Sequence, residues 1–120
     1  MSPITSPITP RELALWQAQG FDFELLDVRR AGLRAQQGAQ IAGAHWHDPA
    51  AWLDWKDSIS NDRPVVLYCA KGHEISQGLI TTLRVLGVDA RYLVGGIQGW
   101  LAEGHPVTPL RPQNPSGAAA

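Results

Sequence analysis

The stretch "VVLYCAKGHEIS", residues 65–76, decides the fold because it joins the pattern of a buried strand to the pattern of a helix. Val65 to Cys69 follow a proline and are apolar or strand-forming, so they predict a buried strand. A short loop containing Gly72 comes next. Apolar residues then recur on one face of a helix: Ile75, Leu79, Ile80, Leu83 and Leu86. Gly87 predicts the end of that helix, so the chain's one cysteine stands between a strand and a helix.

Helical and strand-like patterns alternate along the rest of the chain. Thr9 as a cap, Pro10 in the first turn and Glu12 in a capping box predict a helix that ends near Gly20. The patterns also predict strands over residues 23–28 and 90–94, helices over 49–57 and 97–104, a turn at Gly95 and Gly96, and a loop with one helical turn over 29–44. This alternation predicts an α/β domain with a mainly parallel sheet, in which sites form at the carboxyl ends of the strands.

Length and composition restrict the classes of protein. With 120 residues, 44% of them hydrophobic, the chain is long enough for one core, which we expect over residues 9–108. We expect a flexible segment over residues 1–8 and a disordered tail over 109–120. The net charge of -1 argues against nucleic acid or an anionic membrane as a partner. The sequence shows neither a signal peptide nor an apolar run of about 20 residues, which predicts a soluble cytoplasmic protein.

Cys69 has two interpretations from its neighbourhood. A thiol at a strand end, close to the N-terminus of the next helix, faces backbone N–H groups that favour the thiolate. Lys71 and His73 add positive charge to the same loop, and Gly72 lets the loop curl around the sulfur. The alternative is a packed residue, since free cysteines are among the most buried side chains. A lone cysteine forms no internal disulfide and supplies no cluster of zinc ligands.

Four blocks of sequence resemble the single-domain rhodaneses, the thiosulfate sulfurtransferase family, from about Thr9 to Val107. The blocks are "ITPRELALW", "LLDVR" with "IAGA", "VVLYCAKG", and "YLVGGIQGWLAEGHPV". The last block matches the family at Gly95, Gly96, Trp100, Gly104, Pro106 and Val107. The resemblance implies a three-layer rhodanese-like domain in which a central, mainly parallel sheet is flanked by helices.

The resemblance also implies a chemistry. Cys69 would take a sulfur atom from thiosulfate or a related donor and pass it, as a persulfide, to a thiol or cyanide. A protein sulfur acceptor is a further expected partner, and no metal or organic cofactor is implied. The loop residues expected to surround the persulfide are Ala70, Lys71, Gly72, His73, Glu74, Ile75 and Ser76, with Lys71 holding the anionic end of the donor.

The loop departs from the common family pattern C-x-x-G-x-R, because Glu74 replaces the arginine. A carboxylate there is expected to repel thiosulfate. The segment from Cys69 to Gly87 is also one residue longer than is typical, so the active-site loop has either six or seven residues. A phosphatase is disfavoured, because its arginine position holds Ile75 and Tyr68 replaces the histidine before the cysteine. The form C-x-x-G-H-E-[IV]-S-Q resembles a rhodanese subgroup associated with chromate-resistance gene clusters.

Two other functions remain open on this scaffold: an arsenate, chromate or thiol-redox enzyme, and a non-catalytic rhodanese-like binding module. The retained cysteine argues against the module, and the absence of a second, resolving cysteine weakens the redox enzyme.

Several polar residues elsewhere have two interpretations each. Asp27 and Arg29 end a strand beside the predicted site, where they either contact the donor or form an ion pair that fixes the strand. His45 and His47 share a face of an extended segment, but no third metal ligand stands at a readable spacing, so we expect no metal site. The five tryptophans are expected to be packing residues.

Overall fold

The computed structural model describes residues 7–71 and 74–110, apart from the side chains of residues 74–77. Within these residues the strands are β1 (Pro7–Ile8), β2 (Glu24–Asp27), β3 (Ala39–Gln40), β4 (His45–Trp46), β5 (Val65–Tyr68), β6 (Ala90–Leu93) and β7 (Thr108–Pro109). The α-helices are α1 (Pro10–Gln19), α2 (Ala31–Gln37), α3 (Trp52–Trp55), α4 (Glu74–Val85) and α5 (Gly96–Ala102). Single 3₁₀ turns at Pro49–Ala51 and Lys56–Ser58 flank α3.

A parallel sheet forms the centre of the molecule. Across the described residues, five strands pair in the order β1-β6-β5-β2-β4, and every pairing is parallel. The two short strands β3 and β7 form a separate antiparallel pair. All four residues of β5 are fully buried, as its continuous apolar sequence predicts for a strand covered on both faces. The predicted α/β fold with helices flanking a parallel sheet is therefore confirmed.

Alternate residues of the strands enter two separate apolar clusters, one on each face of the sheet. On one face, Val66 and Tyr68 of β5 pack with Leu13 of α1 and Trp100 of α5. The other cluster contains β5 residues 65 and 67 together with α4 residues 80 and 83, and it is bordered by the α3 tryptophans 52 and 55. This arrangement places α5 and α4 on opposite faces of the strand that leads to Cys69.

The helix signals in the sequence are largely confirmed. Thr9 and Glu12 form the predicted capping box, with each side chain accepting a hydrogen bond from the other residue's backbone N–H, and Gly20 ends α1 in the left-handed conformation. The prediction for α4 is wrong at Leu86. The helix ends at Val85, so Leu86 turns off its buried face and is 45% exposed.

Helix α2 and the two-residue strands β1, β3, β4 and β7 were not predicted. The segment 29–44, expected to be a loop with one helical turn, contains the seven-residue helix α2. None of the α2 side chains is buried, so the helix carries no apolar period that could reveal it. Strand β1 lies inside the segment expected to be flexible: it pairs with β6, and Ile8 is only 2% exposed. The rest of that segment, residues 1–6, and residues 111–120 of the expected tail lie outside the described residues.

The described helices include none with the length and apolar character that crossing a bilayer requires.

Candidate active site

Cys69 lies at the carboxyl edge of the sheet, directly after β5. Asp27 pairs with Tyr68 on one side and with Trp46 on the other, so β5, β2 and β4 end at the same level. The Cys69 side chain packs against apolar residues that include Val28, and 6% of the residue remains exposed. The predicted position at a strand end is confirmed, and Cys69 is buried apart from this small exposed fraction.

The backbone that follows the cysteine is held by α5. The N–H of Ile97 donates to the carbonyl oxygen of Cys69 at 2.9 Å, and the N–H of Gln98 donates to that of Ala70 at 3.0 Å. The first N–H groups of a helix have no partner inside the helix, so the loop carbonyls satisfy them. The conformation of the chain next to the thiol is thereby tied to a second element.

Gly96 makes this contact possible. It adopts φ +60°, and a Cβ at this position would overlap the carbonyl oxygen of Cys69 and lie 2.6 Å from the carbonyl carbon of Ala70. Only glycine meets both requirements. The sequence predicted a turn at Gly95 and Gly96 but did not reveal its contact with the cysteine loop. The glycine pair between a strand and a helix was the available signal.

The predicted loop residues are only partly described. Ala70 is buried and Lys71 is exposed, whereas Gly72 and His73 lie outside the described residues. Three further loop residues, Glu74, Ile75 and Ser76, form the first turn of α4, and their side chains are not described. The helix therefore begins within five residues of Cys69, as expected. That the loop amides surround a sulfur atom stays a prediction.

Asp27 and Arg29 form a buried ion pair at the end of β2, the strand next to β5. The guanidinium Nε and Nη2 donate to the two carboxylate oxygens at 2.9 and 2.6 Å. The guanidinium also donates to the Gln37 side chain at 2.7 Å and to the Ala39 carbonyl at 2.7 Å. Arg34 Nε is a second donor to the Asp27 carboxylate, at 3.3 Å. This geometry favours the packing role over contact with a donor, and the contact with a donor stays a prediction.

Tyr68 joins this ion pair to the strand that carries the cysteine. Its hydroxyl accepts a hydrogen bond from the N–H of Ile41 at 3.1 Å, and the Arg29 guanidinium lies 5.6 Å from the centre of its ring. Burial raises the pKa of Tyr68 well above its usual range, and the charge of Asp27 raises it further. Burial lowers the pKa of Arg29, but the hydrogen bonds and charge of Asp27 outweigh that effect and raise it. Both groups therefore stay protonated at neutral pH.

The comparison with protein families agrees with this architecture. The Rhodanese-like domain family model matches residues 9–103. The chain belongs to the rhodanese-like domain family. Its Cys69 occupies the strand end that the sequence resemblance assigned to the family's cysteine.

Curated relatives and solved structures extend the comparison. The chain is 31% identical over 107 residues to proteins named "Probable adenylyltransferase/sulfurtransferase MoeZ" from two strains of Mycobacterium tuberculosis. The match covers 84% of this chain and 26% of theirs, so the chain spans about a quarter of their length. The family and this relative together indicate a sulfurtransferase-family scaffold.

Two solved structures share the fold at lower identity. A rhodanese-related protein from Thermoplasma volcanium is 24% identical, with a TM-score of 0.75, and the match covers 86% of this chain and 97% of that chain. A rhodanese-like domain protein from Staphylococcus aureus is 22% identical, with a TM-score of 0.77, and the match covers 90% and 100% of the two chains. These likenesses concern the fold alone.

The other polar candidates of this rhodanese-like domain lie in different surroundings. His45 is exposed on β4, and the His47 ring packs edge-on against Trp55 with 4.9 Å between centres. Within the described residues, no group of three His, Cys, Asp or Glu side chains is arranged to hold a metal ion. Trp100 is buried and donates its indole N–H to the Pro106 carbonyl at 2.7 Å, so the predicted packing role of this tryptophan is confirmed.

Proposed function

We propose that the protein is a rhodanese-type sulfurtransferase in which Cys69 carries the transferred sulfur as a persulfide. The observation that carries this proposal is the pair of hydrogen bonds from Ile97 and Gln98 to the carbonyls of Cys69 and Ala70. A trans peptide holds its C=O and N–H in opposite directions. The α5 contacts therefore turn the N–H groups of Ala70 and Lys71 away from α5.

Such outward-turned N–H groups support an anionic sulfur. A persulfide carries its charge on the outer sulfur atom, and fixed backbone donors stabilise that charge without having to reorganise. Exposed Lys71 adds attraction for an anionic donor approaching the loop. The small exposed part of Cys69 suits this chemistry, because the reacting sulfur of thiosulfate is a terminal atom.

The proposed reaction has two displacement steps. The Cys69 thiolate attacks the outer sulfur of thiosulfate, so a Cys69 S–S bond forms, the donor's S–S bond breaks, and sulfite leaves with the bonding electron pair. A thiolate or cyanide then attacks the outer sulfur of the persulfide, and Cys69 leaves as the thiolate. This is covalent catalysis that divides one transfer into two. Atoms and electrons balance between donor and acceptor, so neither step requires a metal or organic cofactor.

The test is the intact mass of the protein after incubation with thiosulfate and, separately, with polysulfide. We expect the mass of one added sulfur atom, removable by dithiothreitol and absent from Cys69→Ser. Labelling of the wild type by iodoacetamide is the control for access to the thiol. If iodoacetamide labels Cys69 while neither donor adds sulfur, the persulfide proposal fails. Turnover of arsenate or chromate that depends on Cys69 would favour the oxyanion enzyme instead.

A further inference from the structure

A cavity of about 370 Å³ opens at the carboxyl edge of the sheet. It is lined by Arg30, Ala31, Asp48, Pro49 and Ala50. Arg30 stands three residues after the end of β2, and Asp48 stands two residues after the end of β4. The cavity therefore belongs to the segments that leave these two strands.

The sheet topology places this cavity on the same edge as Cys69. Strand β2 lies between β5 and β4, and the three strands end in register. Neighbouring strands are about 4.8 Å apart, so the end of β4 lies about 10 Å across the sheet from the end of β5. A small molecule held between the segments after β2 and β4 can extend a reactive group to the cysteine loop.

Two opposite charges line the cavity without neutralising each other. Arg30 is exposed, and within the part of the chain whose side chains are described its guanidinium has no hydrogen bond or ion pair. Asp48 is half-buried, and its Oδ1 accepts the N–H of Ala50 at 2.9 Å, which holds the carboxylate in place while Oδ2 has no bond within that same part of the chain. The Arg30 guanidinium and the fixed Asp48 carboxylate thus line the same cavity.

We propose that this cavity binds the sulfur acceptor, and that the acceptor is a thiol carrying an α-amino-acid group, such as cysteine. The proposal rests on the persulfide function of Cys69. Arg30 binds the α-carboxylate and Asp48 binds the α-ammonium group. A dianion such as thiosulfate is attracted by Arg30 but repelled by Asp48, whereas a simple cation is attracted by Asp48 but repelled by Arg30. A zwitterion complements both charges.

The step assigned to this acceptor is balanced. Its thiolate attacks the outer sulfur of the Cys69 persulfide, a new S–S bond forms on the acceptor, and the bond between the Cys69 Sγ and the outer sulfur breaks. The Cys69 thiolate leaves with the electron pair, and the acceptor departs as its own persulfide. No external oxidant or reductant takes part.

The test measures how fast persulfidated protein, freed of donor, transfers its sulfur to four thiols. L-cysteine carries both groups, cysteamine lacks the carboxylate, 3-mercaptopropionate lacks the ammonium group, and 2-mercaptoethanol lacks both. Rates are expressed per thiolate and relative to the same thiol's per-thiolate rate with a small persulfide in solution, because the nucleophilicity of a thiolate itself rises with its pKa. Because a partly exposed ionic contact contributes about threefold, we expect L-cysteine to exceed 2-mercaptoethanol about tenfold. Glutathione, whose γ-glutamyl end carries the same groups, tests a second source of this chemistry.

Two variants separate the contacts. Arg30→Gln should lower the rates with L-cysteine and 3-mercaptopropionate about threefold and leave cysteamine unchanged. Asp48→Asn retains the acceptor for the Ala50 N–H and should lower the rates with L-cysteine and cysteamine. The matched controls are Arg11→Gln and Asp54→Asn, which remove the same charges from exposed positions outside the cavity lining, and they should leave all four rates unchanged.

A binding measurement tests the cavity independently of sulfur transfer by Cys69. S-methyl-L-cysteine has no reactive thiol, so its NMR titration into Cys69→Ser reports binding alone. We expect binding that weakens when Arg30→Gln is added. Equal relative rates for all four thiols, or a preference that survives both cavity variants, overturns the acceptor site while leaving the persulfide function intact. If no donor loads Cys69, the persulfide function fails. Binding of S-methyl-L-cysteine that depends on Arg30 then still supports the zwitterion site, and the absence of such binding overturns that site.

Discussion

Arg29 and Arg30 are neighbours in the sequence, but their guanidinium groups lie in opposite surroundings. Arg29 is 1% exposed and directs its donors to Asp27, Gln37 and Ala39. Arg30 is exposed and lines the cavity between the segments that follow β2 and β4. Arg29 therefore uses its charge to stabilise the fold, whereas the charge of Arg30 remains available to a substrate.

The same contrast divides the wider site. One group of residues is buried and bonded to other elements: Asp27, Arg29, Tyr68 and Gly96 with its contact to the cysteine loop. A buried charge is tolerated only while its partner is present, because water no longer compensates it. Substitutions in this buried group should lower the free energy of unfolding. Substitutions of the cavity residues Arg30 and Asp48 should change the rate of sulfur transfer with little effect on stability.

The largest effect is expected for Arg29→Met. This change leaves the buried Asp27 carboxylate with only the longer contact to Arg34 Nε, at 3.3 Å, and should lower the free energy of unfolding by about 3 kcal/mol, measured by urea denaturation. The double variant Asp27→Asn, Arg29→Met should recover part of the loss, because the buried carboxylate charge is then gone and Arg34 remains partly exposed to water. Arg30→Met is the matched control and should change the free energy of unfolding by less than about 0.5 kcal/mol. Equal losses for Arg29→Met and Arg30→Met would remove the distinction between the two arginines.

Gly96→Ala should have the next largest effect. A methyl group there meets the carbonyls of Cys69 and Ala70 and also disfavours the positive φ, for a combined loss of about 2–4 kcal/mol. Gly104→Ala is the control, because Gly104 has φ +81° but open space around its Cβ position, and it should lose only about 1–2 kcal/mol. Thermal and urea unfolding measure both. If the two variants lose the same stability, the contact between Gly96 and the cysteine loop contributes nothing.

Tyr68→Phe should produce a smaller loss that depends on pH. At pH 7 the variant leaves the buried N–H of Ile41 without its acceptor, a loss of about 1–3 kcal/mol. The pKa of Tyr68 is raised by burial in the folded protein, whereas an unfolded tyrosine ionises near pH 10. The stabilisation is therefore fully present below about pH 10 and declines above it, by up to about 1.4 kcal/mol per pH unit.

The measurement is the difference in free energy of unfolding between the wild type and Tyr68→Phe, followed from neutral to alkaline pH. The difference should shrink above about pH 10. A difference that stays constant throughout would mean that Tyr68 ionises equally in the folded and unfolded chain.

The sequence predicted those parts of the structure that depend on local signals. The capping box at Thr9, the apolar run of β5 and the position of Cys69 after it all follow from neighbouring residues. Strand β1 could not be predicted because its two residues become a strand only by pairing with β6. The environments of Arg29 and Arg30 could not be told apart either, because Gln37 and Ala39 enclose Arg29 only after the unpredicted α2 has formed.

The contact of Gly96 with the cysteine loop also lay beyond sequence reasoning. It joins segments 27 residues apart in the chain, Cys69 and Gly96, and it depends on the parallel pairing of β5 and β6. The glycine pair indicated only a turn. The substrate specificity of the loop is a further case, since Glu74 departs from the family pattern without indicating which donor replaces thiosulfate.

The most direct test of the central claim is a count of the sulfur atoms that Cys69 carries. Protein is loaded with a sulfur donor, freed of that donor by gel filtration, and treated with cyanide, and the thiocyanate released is measured per chain. A Cys69 persulfide predicts one thiocyanate per loaded chain and none from Cys69→Ser treated in the same way. Thiocyanate released equally by both proteins, or by neither after loading with every donor tried, would contradict the assignment of Cys69 as the sulfur carrier.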